Sequence, residues 1–192
     1  MLTLSCFLAV VLAACGDGAG GTSPGSTPRA PEETRVAGAT ATPSARPVPL
    51  VRPPQARASA AGGAMAVLGI GTYCWTEPSR GGLCVDAVGP VTGSQALVVP
   101  RGAGVTVANP AAGTTIREGS VNAWQAPPQP LSTTGAELVW SLQPGTGRRL
   151  DASVSADRVE FGLDLPPGRY VVEIRLFFAA GDVSYGLLAE VR

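Results

Sequence analysis

The stretch DRVEFGLDLPPGRYVVEIRLFFAAGDVSYGLLAEV, Asp157 to Val191, decides the fold class. Val159, Phe161, Leu163 and Leu165 alternate with Arg158, Glu160 and Asp164. Further on, Tyr170, Val172, Ile174, Leu176 and Phe178 fall on one side and Glu173 and Arg175 on the other. In the last run Val183, Tyr185, Leu187, Ala189 and Val191 repeat the pattern. A period of two places each apolar set on the core face of an antiparallel sheet. Each large side chain so buried contributes about 1.5–3 kcal/mol.

Upstream, from Ala64, short β-branched and aromatic runs alternate with Gly, Pro, Asp and Asn turns. The pattern predicts strands near 66–76, 82–88, 95–99, 103–108, 114–124, 136–142, 149–154, 157–165, 169–179 and 182–191. No segment holds a helical period over three turns. Short strands at regular spacing predict an all-β domain over 64–192, a sandwich or a barrel. Within it, Leu165-Pro166-Pro167-Gly168-Arg169-Tyr170 resembles the tyrosine corner of immunoglobulin-like and fibronectin-like sandwiches. That resemblance implies an immunoglobulin-like antiparallel β-sandwich and gives Tyr170 a structural role, a hydrogen bond back to nearby backbone at the crossover between sheets.

Composition narrows the chemistry. The 192 residues carry 14 acidic and 14 basic side chains, for a net charge of zero. No broad basic surface is available for phosphate backbones, so nucleic acid is not an expected partner. Every basic side chain is Arg; the sequence has no His and no Lys. Catalysis by Ser-His-Asp or Cys-His loses its general base, and Schiff-base, Ser-Lys and P-loop chemistry lose their lysine. Most zinc and copper sites lose their commonest ligand. Carboxylates, Tyr, hydroxyls and Arg remain, so a binding or structural protein without a cofactor is expected rather than an enzyme.

Working toward the N-terminus, Leu2 to Ala14 are almost wholly apolar. The run is shorter than the roughly 20 residues a spanning helix needs and reads as the core of a secretion signal, residues 1–14. It ends in Leu12-Ala13-Ala14-Cys15-Gly16, which resembles a bacterial lipobox. The resemblance implies cleavage before Cys15 and a diacylglyceryl group on its thiol. From there to residue 63 the chain is rich in Gly, Ser, Thr, Ala and Pro, including Pro24, Pro28, Pro31, Pro43, Pro47, Pro49, Pro53 and Pro54. Large apolar side chains are nearly absent, so little offsets the entropy of ordering it, and a disordered tether over 15–63 is expected. A coil of this length spans on the order of 35–40 Å, enough to lift a domain clear of a membrane surface. With Cys6 in the signal and Cys15 lipidated, Cys74 and Cys84 remain. In an oxidising compartment these two are expected to pair across the turn Glu77-Pro78-Ser79-Arg80-Gly81-Gly82.

Gly71-Thr72-Tyr73-Cys74-Trp75, the second cysteine, and Gly181-Asp182-Val183-Ser184-Tyr185 near the end resemble a loose group of small Gram-positive and Chloroflexi-type lipoproteins. That group places a Gly-Ser/Thr-Tyr-Cys-Trp segment early in its mature domain and a Gly-Asp-x-Ser-Tyr strand at its end. The resemblance implies location and architecture and carries over no catalytic residue.

Strict alternation puts Cys74 on one face with Leu68, Ile70 and Thr72, and Tyr73 with Trp75 on the other. An aromatic patch of Tyr73, Trp75 and Trp124 is therefore a candidate surface for sugar or peptide contact, against a core role for the same rings. Trp140, between Leu138 and Leu142, is expected in the core. Asp151, Ser153, Ser155 and Asp157 have the spacing of an oxygen-ligand calcium loop, but Ala156 and Gly162 occupy the positions of its glycine and its bidentate acid, so a polar turn is expected. Asp164 with Glu118 is a candidate carboxylate pair for hydrolysis. The expected function is a membrane-anchored extracytoplasmic lipoprotein, held to the cell membrane by its lipid, whose sandwich contacts an envelope protein or glycan. The alternatives are an accessory module of an envelope transporter, an inhibitor of an extracytoplasmic protease acting through loop 125–136, and a carboxylate-only hydrolase.

Overall fold

A computed structural model describes residues 51–192. The expected signal, Cys15 and the tether up to residue 50 lie outside the described residues. In chain order the strands are β1 (Arg57–Ala60), β2 (Met65–Val67), β3 (Gly69–Glu77), β4 (Gly81–Val85), β5 (Val91–Gly93), β6 (Leu97–Val99), β7 (Gly104–Ala108) and β8 (Ile116–Gln125). They continue as β9 (Ser132–Thr134), β10 (Glu137–Val139), β11 (Arg148–Leu150), β12 (Ala152–Val154), β13 (Arg158–Gly162), β14 (Gly168–Phe178) and β15 (Gly181–Val191). The described residues form no helix.

Two sheets make the sandwich. One has the order β12-β13-β7-β1-β2; the other runs β11-β8-β14-β15-β3-β4, with β6 also lying along β15. All neighbours are antiparallel except β6, which pairs parallel with the end of β15. Pairing β7 with β13 on one side and β8-β14-β15 on the other is the arrangement of an immunoglobulin-like sandwich. The alternating sets of the C-terminal stretch meet between the sheets. Val159, Phe161, Leu163 and Leu165 are buried against Val172, Ile174, Leu176, Val183, Tyr185 and Leu187 in one core. Tyr170 closes the step from β13 to β14 by donating its hydroxyl to the Pro166 carbonyl at 2.9 Å. This is the tyrosine-corner bond, and it stands where the chain changes sheets.

Three expectations need correction. The tether predicted over 15–63 overlaps the fold: Val51, Ala56 and Ala58 are core residues and β1 lies between β2 and β7. The cause is size, since alanines and prolines can fill a shallow layer without producing an apolar signal. The predicted strands 66–76 and 149–154 are each two strands in different sheets, changing over at Leu68 and at Asp151. Continuous sequence patterning conceals such a crossing, because the chain turns without leaving the core.

The third correction concerns the faces of β3. Its register against β15 shifts between Val183 opposite Tyr73 and Tyr185 opposite Ile70. This bulge at Gly71 and Thr72 inserts one residue, so the side chains before and after it swap parity. Ile70, Tyr73 and Trp75 consequently all face the core, and Cys74 faces out.

A small third layer covers part of the outer face of the larger sheet. It is the strip β5-β10-β9, of which β5 and β9 fall in segments predicted as turn and loop. Gly69 and Gly186 are paired across β3 and β15, and a Cβ on either would lie 2.3 Å or 2.1 Å from the Val91 carbonyl oxygen. Their missing side chains make the flat seat on which β5 rests. Beside it Trp140 packs on Val171 and Leu188 in a second, separate core. Its indole N–H donates to the hydroxyl of fully buried Thr92 at 2.9 Å, so the ring's polar edge is satisfied.

Candidate functional site

The disulfide forms between Cys74 and Cys84, which are directly paired across the β3–β4 hairpin with Cα atoms 4.0 Å apart. Gly81 turns the chain with φ of 81°, a conformation that a side chain disfavours. Both cysteines are exposed on the outer face of the larger sheet.

The candidate aromatic patch of Tyr73, Trp75 and Trp124 is not assembled. Tyr73 and Trp75 are each 6% exposed and belong to the main core, with Trp75 packed edge-on to Phe178 at 5.4 Å. Trp124 stands apart from them. It lies near the end of β8 opposite Val171, on the outer face, and is half-buried. Its ring rests on Gly147, where a Cβ would come within 2.4 Å of the indole. The turn Pro144-Gly145-Thr146-Gly147 is held by the Thr146 hydroxyl, which donates to the Gln143 carbonyl at 2.8 Å.

Trp124 therefore forms part of the wall of a groove of about 750 Å³. Gln125, Ala126, Pro127 and Pro128 lead out of β8 along one side, and Ser141, Leu142, Gln143 and Thr146 line the other. None of these side chains carries a formal charge. The groove presents an aromatic surface, prolines, amides and hydroxyls, which can stack on an apolar or sugar face and exchange neutral hydrogen bonds. Loop 125–136 does not project freely. Ser132–Thr134 is strand β9, and the Leu131 N–H donates to the Val139 carbonyl at 2.8 Å. The sequence signals for this groove were the tryptophan, the paired prolines and the Pro-Gly-Thr-Gly turn; nothing in their spacing showed that they converge.

The carboxylate candidates are separated. Asp164 takes a hydrogen bond from Arg101 at 3.0 Å, while Glu118 lies on β8 opposite Phe177. A shallow groove of about 780 Å³ does include Asp151 and Glu160, but Glu160 is held by Arg158 at 2.9 Å. Glu173 lines a smaller cavity of about 130 Å³ beneath Val91, with Ser184 and Thr72 and no second carboxylate. The segment from Asp151 to Asp157 is β12 and its turn into β13. There the Ser155 hydroxyl donates to Asp157 at 2.6 Å and holds that carboxyl below its ordinary range. Among the described residues no group of three Cys, Asp or Glu side chains is placed to hold a metal ion, and no helix is long and apolar enough to cross a membrane.

No protein-family model, curated protein or solved structure matches this chain.

Proposed function

We propose that the chain is a membrane-anchored extracytoplasmic lipoprotein whose β-sandwich is a binding module of the cell envelope. The lipid sits on Cys15, and the Trp124 groove contacts an envelope glycan or protein. The observation that carries the binding role is the half-buried Trp124 ring set among uncharged polar groups in a groove of about 750 Å³. Its setting differs from that of Trp140, whose N–H is used internally and whose ring is sealed in a core. An exposed disulfide supports the compartment, since accessible disulfides are reduced in the cytosol and persist in oxidising surroundings.

Two measurements test the reading. Cells fed a fatty-acid probe should label the protein, and Cys15→Ala should abolish labelling; equal incorporation in the variant overturns the anchor. Residues 51–192 should be retained on envelope material, with glycan-digested and protease-treated samples separating the two kinds of partner. Trp124→Ala should abolish retention without lowering the melting temperature by more than a few degrees. Retention unchanged by Trp124→Ala, or none by the parent domain, overturns the groove's role.

A further inference from the structure

We infer that the free edge of β4 pairs with β4 of a second copy of this chain, joining two sandwiches into a symmetric dimer through a continuous sheet. The inference stands apart from the lipid anchor and from the Trp124 groove.

Sheet edges are templates for further pairing, and proteins usually blunt them with charge, proline, brevity or cover. The other edges follow that rule. Strand β2 has three residues, β11 has three and carries Arg148 and Arg149, and β12 has three and is flanked by Asp151. Strand β4 differs. It runs five residues, Gly81-Gly82-Leu83-Cys84-Val85, with no charge and no proline, and among the described residues it pairs only with β3. The disulfide pins it to β3, so little further ordering is needed for it to accept a neighbour.

Backbone geometry gives the register. A Cα separation of 4.0 Å marks Cys74 and Cys84 as a non-hydrogen-bonded pair. The N–H and C=O of Cys84 thus point away from β3 into solvent, and by the two-residue period so do those of Gly82. An antiparallel copy centred on Leu83 sets Gly82 of each chain against Cys84 of the other. Their outward N–H groups then donate to each other's carbonyls, and Leu83 meets its own counterpart on the two-fold axis. This register engages all five residues of β4, from Gly81 against Val85 at one end to Val85 against Gly81 at the other.

Charge at the strand ends favours a second copy over an unrelated strand. Arg80 precedes β4 and Asp86 follows it. Centring the pair on Leu83 brings Arg80, the last residue of the turn into β4, beside Asp86 of the other copy and within reach of it through its long side chain, making two opposite-charge contacts by symmetry. Within one chain both groups are at the surface, Arg80 bonded to Glu77 at 2.8 Å and Asp86 accepting from Thr72 at 3.1 Å. Leu83 and the exposed Val85 lie on the core-side face of the strand, where the new junction would cover them.

The test is sedimentation velocity of the full chain in non-ionic detergent over a wide concentration range, with charge reversal at the strand ends. The parent chain should pass from monomer to dimer as concentration rises. Arg80→Asp sets like charges opposite each other twice, and so does Asp86→Arg; each should weaken association about tenfold or more. The double variant Arg80→Asp/Asp86→Arg should restore it, which a merely structural defect in either single variant would not allow. Thermal melts and free-thiol counts confirm that each variant keeps the fold and the disulfide. A chain that stays monomeric throughout overturns the proposal, as do single variants that associate as tightly as the parent.

Discussion

Tyr185 on β15 donates its hydroxyl to the carbonyl of Pro54 at 2.7 Å, joining residues 131 apart in the chain. The Tyr185 ring is fully buried, and the bond fixes the segment that leads into β1. Gln55 reinforces it by donating its side-chain amide to the Leu68 carbonyl. Tyr185→Phe keeps the packing and leaves the Pro54 carbonyl without this donor. The expected loss is about 1–3 kcal/mol in urea unfolding, with an unchanged slope.

The same hydroxyl gives the domain an alkaline limit. Burial raises the Tyr185 pKa above its ordinary value, because the phenolate would lose its hydration. The unfolded chain releases this proton near about pH 10 while the folded chain retains it. Tyr185 therefore leaves stability intact below that pH. Above it, stability falls by up to about 1.4 kcal/mol per pH unit until the folded-state pKa is reached. Tyr185→Phe should flatten this dependence in melts taken on either side of pH 10; an unchanged slope would assign the loss to other groups.

Where the domain starts can be measured directly. A chain of residues 51–192 keeps β1, which stands between β2 and β7. A chain of residues 64–192 loses it, together with the core contacts of Val51, Ala56 and Ala58. The longer piece should melt cooperatively. The shorter should lose several kcal/mol, a large fraction of the stability of a domain of this size, and expose apolar surface to a reporter dye. Equal melting of the two would place β1 outside the cooperative unit.

The sequence made the C-terminal half of the sandwich legible because one apolar set in each of β13, β14 and β15 alternates inward and packs in the main core; Val171 and Leu188, on the opposite face, are buried too, under the third layer. Strict alternation set Tyr73 and Trp75 on the face opposite Ile70, whereas one bulged residue near Thr72 brings all three to the core side; of the two roles open to these rings, the core role holds. Alternation holds on both sides of a bulge, so its phase alone does not locate one. Strand β1 was hidden by its composition, and β5 by the fact that its seat is made of missing side chains at Gly69 and Gly186. Cys74 and Cys84 were legible as a pair because, with Cys6 expected in the signal and Cys15 lipidated, they were the two cysteines left over, on either side of a short turn.

That pair stabilises without filling the core. Closing a loop of ten residues removes unfolded-state entropy worth about 2–3 kcal/mol. Both cysteines are exposed, so Cys74→Ala/Cys84→Ala opens no cavity. The double variant should lose about that amount and keep the same circular dichroism. A larger loss with altered spectra would mean that the hairpin depends on the bond for its structure.

The third layer offers the sharpest steric test. At Gly186 an added Cβ would lie 2.1 Å from the Val91 carbonyl oxygen, a backbone atom that no rotamer change can move aside. Gly186→Ala must therefore lift β5 from the sheet. Since Thr92 follows Val91 and accepts the Trp140 indole N–H at 2.9 Å, the displacement should also loosen Trp140 from Val171 and Leu188. The expected cost is roughly 1–3 kcal/mol, with tryptophan emission shifted to the red. Trp75 and Trp124 also emit, so the shift is assigned by repeating the substitution in a Trp140→Phe background, where it should vanish. Gly113→Ala is the control for an added methyl: nothing lies within 4 Å of its Cβ, and its penalty comes from a φ of 81° alone. It should lower stability while leaving Trp140 emission in place, because its strain is local to the β7–β8 turn.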